Sequence, residues 1–249
     1  YDFIITDNSG NTATLHAQVG NVDTARPTVD FHFEPLDGGD RTIITEYGKT
    51  EYYNYDVGMN ASAGDVGSGI SRYEYKVGSG KWTVFDPADA PKFTEEQVIH
   101  IVVRVWDVAG NVSEEKARDI VLDKTPPTAS HTLTPGKDGT VNINLGTDGS
   151  ICGVQSITLP DGTVVEGGTA DFAADANGKY DFIITDNGGN TFTLHTEVSN
   201  IDYLAPEAEY TVTPDVWTNG PAAIHVTATD PEPEDGYAPS GVKSITLPD

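Results

Sequence analysis

Internal repetition is the feature that most constrains this chain. Residues 1–27 return at residues 180–206 with 18 identical positions. Residues 153–161 return at 241–249 with 8 identical positions. Repeats at domain-sized intervals predict an array of similar units, each with its own core. The chain opens on the last strands of one unit and stops on the first strands of another, so we expect a window on a longer tandem protein.

The composition favours an all-β fold. The 249 residues include 26 glycines and 15 prolines, and helical patterns are scarce. Only two short stretches, residues 91–98 and 113–118, are candidates for helix. We therefore predict tandem β-sandwich domains in an elongated array.

Three linkers mark the predicted domain boundaries. In each, a strand ends on an apolar residue, an aspartate follows, and a proline stands four residues after it; the aspartates are Asp23, Asp123 and Asp202. Proline cannot extend a central strand, so the chain turns or changes domain there. The pattern predicts the last strands of an incomplete domain at 1–26, complete domains at 27–126 and 127–205, and the first strands of a further domain at 206–249.

Two strands of each unit show apolar residues with a period of two, which predicts one face turned to a core. His131 falls in such a set and is interpreted as a partly buried, hydrogen-bonded histidine. The predicted interior residues are Tyr1, Phe3, Ile5, Val29, Phe31, Phe33, Ile101, Val103, Val105, Ala129, His131, Leu133, Tyr180, Phe182, Ile184, Ala208, Tyr210 and Val212.

Two loops also recur. Asp7, Asp107 and Asp186 each open a hairpin turn that ends in Gly-Asn, and both of these residue types tolerate positive φ. Earlier in each unit, an aspartate precedes Ser-Gly or Cys-Gly and a branched residue; these aspartates are Asp65, Asp148 and Asp230.

The charge excludes several classes of partner. Thirty-nine acidic residues face fourteen basic ones, a formal charge of −25, whereas nucleic-acid binding needs a basic patch. Docking on anionic lipid is disfavoured for the same reason, and no apolar run is long enough to span a membrane. An acidic surface suits solubility and divalent cations.

We expect no enzymatic activity. The single cysteine, Cys152, cannot form an internal disulfide and is interpreted as a small buried residue. The six histidines are scattered without metal-ligand spacing. The sequence shows neither a glycine-rich phosphate loop nor a nucleophile elbow.

The set Asp…Ser-Gly-Val/Ile, Tyr-x-Phe/Val-x-x-x-Asp-x-x-Gly-Asn and Asp-x-x-x-Pro resembles the tandem bacterial immunoglobulin-like (Big-type) domains of large cell-surface adhesins. The resemblance covers essentially the whole chain, with two departures: Cys152 where a serine is usual, and an aromatic-rich insertion at residues 46–55. It implies sandwiches strung end to end as a stalk of a cell-surface or secreted bacterial protein.

Some of these families stiffen their linkers with Ca²⁺. The resemblance carries this over to the linker aspartates Asp23, Asp123 and Asp202 and to the hairpin aspartates Asp7, Asp107 and Asp186, since Ca²⁺ takes six to eight oxygen ligands. The alternative is that the hairpin aspartates only stabilise their turns through side-chain-to-backbone hydrogen bonds.

Two functions follow. The first is a structural stalk that projects or links binding modules, with neighbouring immunoglobulin-like domains of the same or an identical chain as partners. The alternative is a carbohydrate-binding accessory region of an extracellular enzyme or adhesin. In that case Trp217, Tyr52 and Tyr53 would be the ligand-binding residues, and host or surface glycans would be the partners.

Overall fold

The structure, a computed structural model, describes residues 1–37, 45–47, 50–137, 139–148, 151–232 and 236–248, with only the backbone given at 45–47. The chain divides into two compact units, residues 1–125 and 126–249. Each unit contains one β-sandwich and one two-stranded hairpin. The predicted all-β class of tandem sandwiches is thereby confirmed. Among the described residues, no helix is long and apolar enough to cross a membrane.

The first unit begins with a hairpin of β1 (Asp2–Thr6) and β2 (Thr12–His16). The first sandwich follows, and its elements are β3 (Thr28–Pro35), β4 (Thr45–Tyr47), β5 (Thr50–Tyr53), β6 (Val57–Gly64), β7 (Ile70–Val77), β8 (Thr83–Phe85), a 3₁₀ turn (Pro87–Asp89), β9 (Lys92–Phe93), β10 (Gln97–Asp107) and β11 (Lys116–Leu122). One sheet has the order β3-β6-β9 and the other β4-β5-β11-β10-β7-β8.

The first core lies between these two sheets. Val29, Phe31 and Phe33 are buried on β3 while their neighbours are exposed, as their period of two predicts. Ile101, Val103 and Val105 line the facing strand β10 and are fully buried. The insertion contributes to the same core: Phe33 packs edge-to-face on Tyr53, with ring centroids 6.1 Å apart. Residues 48 and 49 of the insertion lie outside the described residues.

The second unit contains the second sandwich and then a hairpin. Its strands are β12 (Thr128–Pro135), β13 (Val141–Asp148), β14 (Val154–Thr158), β15 (Val164–Glu166), β16 (Thr169–Ala174), β17 (Gly178–Asp186), β18 (Thr191–Val198), β19 (Glu207–Thr213) and β20 (Ala223–Thr229). The sheet orders are β12-β13-β16 and β15-β14-β17-β18. Ile143, Ile157, Phe182, Ile184 and Val198 are fully buried in its core.

Both sandwiches share one topology once the β4–β5 hairpin is set aside. The first, second and fifth strands form one sheet, and the fourth, third, sixth and seventh form the other. Immunoglobulin-like and fibronectin(III)-like domains share this sandwich architecture. Each sandwich has a separate cluster of buried residues, so each buries its own sheet faces.

The interior predictions fail for the two hairpins. Phe3 is 54% exposed although its repeat counterpart Phe182 is 0% exposed. Tyr1, Ile5, Tyr210 and Val212 are likewise exposed. The reason is that β1–β2 and β19–β20 form sheets of two strands, and no second described sheet covers them. Leu133 on β12 of the second sandwich is also exposed, at 41%, contrary to the prediction.

Neither of the two candidate stretches is helical, as the all-β prediction requires. Residues 91–98 contain β9 and the start of β10, and residues 113–118 lead into β11. β9 pairs with β6, and β10 pairs with β11. Pairing with a neighbouring strand satisfies their backbone groups, and this outweighs a weak local preference for helix.

Candidate metal centre

The hairpin aspartates are held by the asparagine that closes each turn. Asn111 donates from its backbone N to Asp107 Oδ1 and from its Nδ2 to Asp107 Oδ2, both at 2.7 Å. Asp7 with Asn11 and Asp186 with Asn190 repeat this pair of bonds. The glycine inside each turn adopts positive φ, 95° at Gly110. The hydrogen bonds expected of turn-stabilising aspartates are therefore present in all three hairpins, and they do not exclude a further role.

The loop after β6 holds a second aspartate. Asp65 Oδ2 accepts hydrogen bonds from the backbone N of Gly67 at 3.2 Å and of Gly69 at 2.6 Å. Gly69 has a φ of 87°, a conformation that suits glycine. The other oxygen, Asp65 Oδ1, is buried and accepts no hydrogen bond from the described residues. A buried carboxylate oxygen without a donor is unfavourable, and a bound cation would compensate it.

The linker aspartate reaches the same loop. Asp23 Oδ2 accepts from the backbone N of Ser68 at 2.7 Å, and Asp23 Oδ1 accepts from that of Ala25 at 2.9 Å. These hydrogen bonds, with that from Ser68 the largest cause, hold the pKa of Asp23 below its ordinary value. Asn111 Nδ2 also donates to the Asp23 carbonyl oxygen at 3.2 Å. One asparagine thus joins the hairpin to the linker.

Gly67 makes this close approach feasible. A Cβ at this position would lie 2.3 Å from the Asp23 carboxyl carbon. Any larger residue would therefore displace the linker aspartate, so the sequence requires glycine here for lack of space.

The three carboxylates converge. One ligand oxygen from each of Asp23, Asp65 and Asp107 lies within 4.8 Å of the others. Asp107 is buried, and the other two are half-buried. Among the described ion pairs, none engages these residues. Three like charges at this separation repel one another, and partial burial strengthens that repulsion. We call these three residues the first carboxylate cluster.

The donor set fits a hard cation. All three side chains offer oxygen, the ligand type that Ca²⁺ and Mg²⁺ take, whereas zinc sites favour nitrogen and sulfur. Carboxylates and loop carbonyls are the groups from which Ca²⁺ assembles six to eight ligands. The unpartnered Asp65 Oδ1 is the atom that such an ion would satisfy.

The second unit repeats the arrangement. Asp202 Oδ2 accepts from the backbone N of Ser240 at 2.8 Å, as Asp23 does from Ser68. Asp230 Oδ2 accepts from the backbone N of Gly241 at 2.5 Å, as Asp65 does from Gly69. Asp230 Oδ1 is again buried without a donor among the described residues. We call Asp202 and Asp230 the second carboxylate pair.

In the second pair, as in the first cluster, the pKa of the linker aspartate is lowered. The side chain and the backbone N of Ser240, together with Leu204 N, hold the pKa of Asp202 below its ordinary value. The same local contacts are therefore found in two separate units of the chain, which argues against a chance arrangement of acids.

Three of the six predicted metal residues lie in these two carboxylate sites, and the other three lie elsewhere. Asp23 and Asp107 come together in the first carboxylate cluster, and Asp202 lies in the second carboxylate pair. Asp7 lies in the exposed β1–β2 turn and is held by Asn11. Asp186 is held by Asn190, and Asp123 accepts from the backbone N of Thr125. Calcium binding at all six remains a prediction.

Asp65 and Asp230 were not predicted as ligands. The recurring Asp…Ser-Gly pattern predicts their loops but does not by itself indicate that the aspartates are ligands. A search for the acidic positions that all units share would have included them.

The three residues predicted to bind carbohydrate in the alternative function differ in their exposure to solvent. Trp217 is fully exposed, at 103% of its reference area, and Tyr52 is half-buried. Tyr53 cannot face a ligand, because its ring is 1% exposed in the first core and its hydroxyl donates to Glu51 Oε2 at 2.6 Å.

Cys152 and His131 take the places predicted for them. Cys152 is buried, and its Sγ accepts from the backbone N of Gly188 at 3.3 Å. His131 Nε2 lies 2.7 Å from Thr196 Oγ1. Neither residue is part of the first carboxylate cluster or the second carboxylate pair.

Comparisons with known proteins are sparse. No protein-family model matches the sequence, and no curated protein matches it. Among solved structures, the chain is similar to the fibronectin(III)-like modules of CbhA from Clostridium thermocellum. The identity is 14%, the TM-score is 0.36, and the match covers 68% of this chain and 92% of that one.

Proposed function

We propose that the chain is a structural spacer in an extracellular bacterial protein of the adhesin type, in which Ca²⁺ fastens the linkers at Asp23 and Asp202 to the loops that hold Asp65 and Asp230. The observation that carries this proposal is the buried, unpartnered carboxylate oxygen that occurs at equivalent places in the two units, Asp65 Oδ1 and Asp230 Oδ1. Each lies in a loop that already holds the linker aspartate.

A spacer needs domains that fold by themselves and joints of defined stiffness. The separate cores of the two sandwiches meet the first need. The second is met by contacts from Asp23 to Ser68 and Asn111, which tie the linker to the first sandwich. An ion that binds Asp23 together with Asp65 and Asp107 adds a further cross-link between them.

The conditions outside a cell suit this chemistry. Extracellular calcium modules typically bind with dissociation constants of roughly 10⁻⁴ to 10⁻³ M. The formal charge of −25 attracts divalent cations and keeps such a surface soluble. The role requires no catalysis.

Calorimetric unfolding tests the proposal. We expect Ca²⁺ to raise the unfolding temperature relative to EGTA, with stabilisation of about 2.7 kcal/mol when the ion is present at 100 times its dissociation constant. Asp65→Asn should remove the part of this increase that belongs to the first unit, because it deletes the charge of the unpartnered carboxylate. Asp89→Asn, a matched change at an exposed acid, should retain the full increase. Identical scans in Ca²⁺ and EGTA would reject the calcium-dependent spacer.

One observation favours the carbohydrate-binding alternative. Trp217 is fully exposed, and exposed indoles suit stacking on sugar rings. A glycan array that compares the protein with its Trp217→Ala variant tests this role. Binding that the variant loses would support it, and an array without signal would reject it.

A further inference from the structure

A second cluster lies on the outer face of the first sandwich, on β7, β10 and the turn before β8. Three cations alternate there with two indoles. Lys76 Nζ lies 4.5 Å from the ring centre of Trp82, and Arg104 Cζ lies 3.9 Å from the same ring. Arg104 Cζ is 5.4 Å and Arg72 Cζ is 4.4 Å from the ring centre of Trp106. We call these five residues the cationic ladder.

The buried carboxylate of Glu74 holds three side chains of the ladder by hydrogen bonds. Its Oε2 accepts from Arg104 Nε at 2.8 Å and from Trp106 Nε1 at 2.9 Å, and its Oε1 accepts from Arg72 Nε at 2.9 Å. Burial acts to raise the pKa of Glu74, but these hydrogen bonds outweigh it and hold the pKa below its ordinary value. The ladder is therefore a preorganised surface whose side chains are already held in place.

The fold does not require this ladder. The second sandwich has the same topology. On its paired strands β14 and β17, Ile157 and Ile184 face the core, and Thr158, Ile183 and Thr185 lie on the outer face of the sheet. That face has no arginine or tryptophan in the corresponding strands. A surface that one sandwich builds and the other omits points to a role other than folding.

The ladder offers charged hydrogen-bond donors. Each indole ring is contacted by two cations, so its faces are largely covered. A ligand would therefore meet mainly guanidinium and ammonium groups. Arg72 and Arg104 keep 40% and 22% of their side-chain surface exposed, and in the described residues their only acidic partner is Glu74. Lys76 Nζ lies 3.6 Å from Glu115 Oε2, a partly exposed and therefore weak ion pair. Guanidinium groups recognise carboxylate and sulfate with good geometry.

We propose that the cationic ladder binds an acidic polysaccharide through its carboxylate or sulfate groups. A row of cations on a flat sheet face fits an extended chain with repeated anionic groups. A globular acidic partner would bring a large acidic surface close to a chain of charge −25, and the two would repel each other. A thin polymer touches mainly the ladder, because charges beyond about 8 Å are screened at physiological salt.

Binding is measured by calorimetry in EGTA, so that Ca²⁺ cannot bridge two acidic molecules. The probes are alginate for carboxylate, dextran sulfate for sulfate, neutral dextran and polyglutamate. We expect alginate or dextran sulfate to bind at 150 mM NaCl, where charges beyond about 8 Å are screened, with affinity that falls at 500 mM, and dextran not to bind. The double variant Arg72→Gln/Lys76→Gln should weaken binding about tenfold or more. Lys179→Gln, which removes one positive charge on β17 and so matches the single variant Lys76→Gln, should not.

Three results overturn the proposal: absence of binding by both acidic polysaccharides, equal binding by the double variant and the wild type, or tighter binding of polyglutamate, which would indicate an acidic protein partner. Circular dichroism establishes that the variants fold. If the double variant does not fold, Lys76→Gln alone takes its place, since Lys76 is outside the Glu74 network. Because Ca²⁺ is absent throughout, failure here leaves the calcium-dependent spacer unaffected.

Discussion

Asp65 and Asp230 occupy equivalent loops, and in each the carboxylate is half satisfied. One oxygen is held by the N–H of the glycine that follows the serine, Gly69 or Gly241. The other oxygen is buried without a donor. Rotation of the side chain would break the first contact in order to satisfy the second. The proposed Ca²⁺ would satisfy the second oxygen without disturbing the first.

The substitution Gly67→Ala should damage the first carboxylate cluster through sterics alone. Its Cβ would lie 2.3 Å from the Asp23 carboxyl carbon, so the Asp23 carboxylate must move away and give up its hydrogen bond to Ser68, at a cost of about 1–3 kcal/mol. We expect both lower stability in urea and a smaller Ca²⁺-induced stabilisation. Gly20→Ala is the control, because a Cβ there meets nothing within 4 Å. Equal behaviour of the two variants would contradict the close packing of Asp23 on Gly67.

The pH dependence of Asp23 has a definite sign. The hydrogen bonds from Ser68 and Ala25 lower its pKa in the folded protein from an ordinary value of 3.8. A lowered pKa stabilises the fold above the unfolded-state pKa, and that contribution is lost as the pH falls through the folded-state pKa. In EGTA, the difference in unfolding free energy between wild type and Asp23→Asn should be constant from pH 7 to 5 and shrink below pH 3.8. A difference that grows with acidity would show the opposite shift.

Among the elements, the hairpin turns show how one motif acquires two roles. The Asp–Asn turn is built alike in all three hairpins, which its sequence predicts. Between β10 and β11 the asparagine also reaches further, because Asn111 Nδ2 donates to the Asp23 carbonyl oxygen. The turn could be predicted from local sequence, whereas its contact with a linker 88 residues away could not.

Asn111→Ala should therefore cost more than Asn11→Ala. The first removes the bond to Asp107 in a half-buried turn and the bond to the linker, which we expect to destabilise the first sandwich by about 1–3 kcal/mol. The second removes the same turn contact at an exposed hairpin, so we expect less than about 0.5 kcal/mol. Urea unfolding measures both, and hydrogen exchange at the Ser68 amide reports on linker attachment. Equal losses would show that the linker bond contributes nothing.

Across the whole molecule, the sequence predicted strands better than burial. The period of two identified β3, β10 and β17 and their inward faces, because a covered sheet face imposes that period. Identical residues at Phe3 and Phe182 nevertheless differ in burial, since burial depends on a facing sheet that is distant in sequence. The first carboxylate cluster is only partly predictable for the same reason. Its successive residues are 42 positions apart along the chain and meet only in the folded unit.

Repeat-matched core substitutions measure this difference. Ile184 is fully buried, and its counterpart Ile5 is 58% exposed. We expect Ile184→Ala to destabilise the second sandwich by about 2–5 kcal/mol and to leave the unfolding of the first sandwich unchanged. Ile5→Ala should change stability by less than about 0.5 kcal/mol. Comparable losses from both would mean that β1–β2 is covered in solution.

The number of calcium ions bound tests the spacer proposal most directly. Equilibrium dialysis at millimolar Ca²⁺, the range in which extracellular modules bind, should show that Asp65→Asn binds one ion fewer than the wild type. Adding Asp230→Asn should remove a second ion, and Asp89→Asn should remove none. A wild type that binds no Ca²⁺, or variants that bind as many ions as the wild type, would contradict cation binding at these two loops.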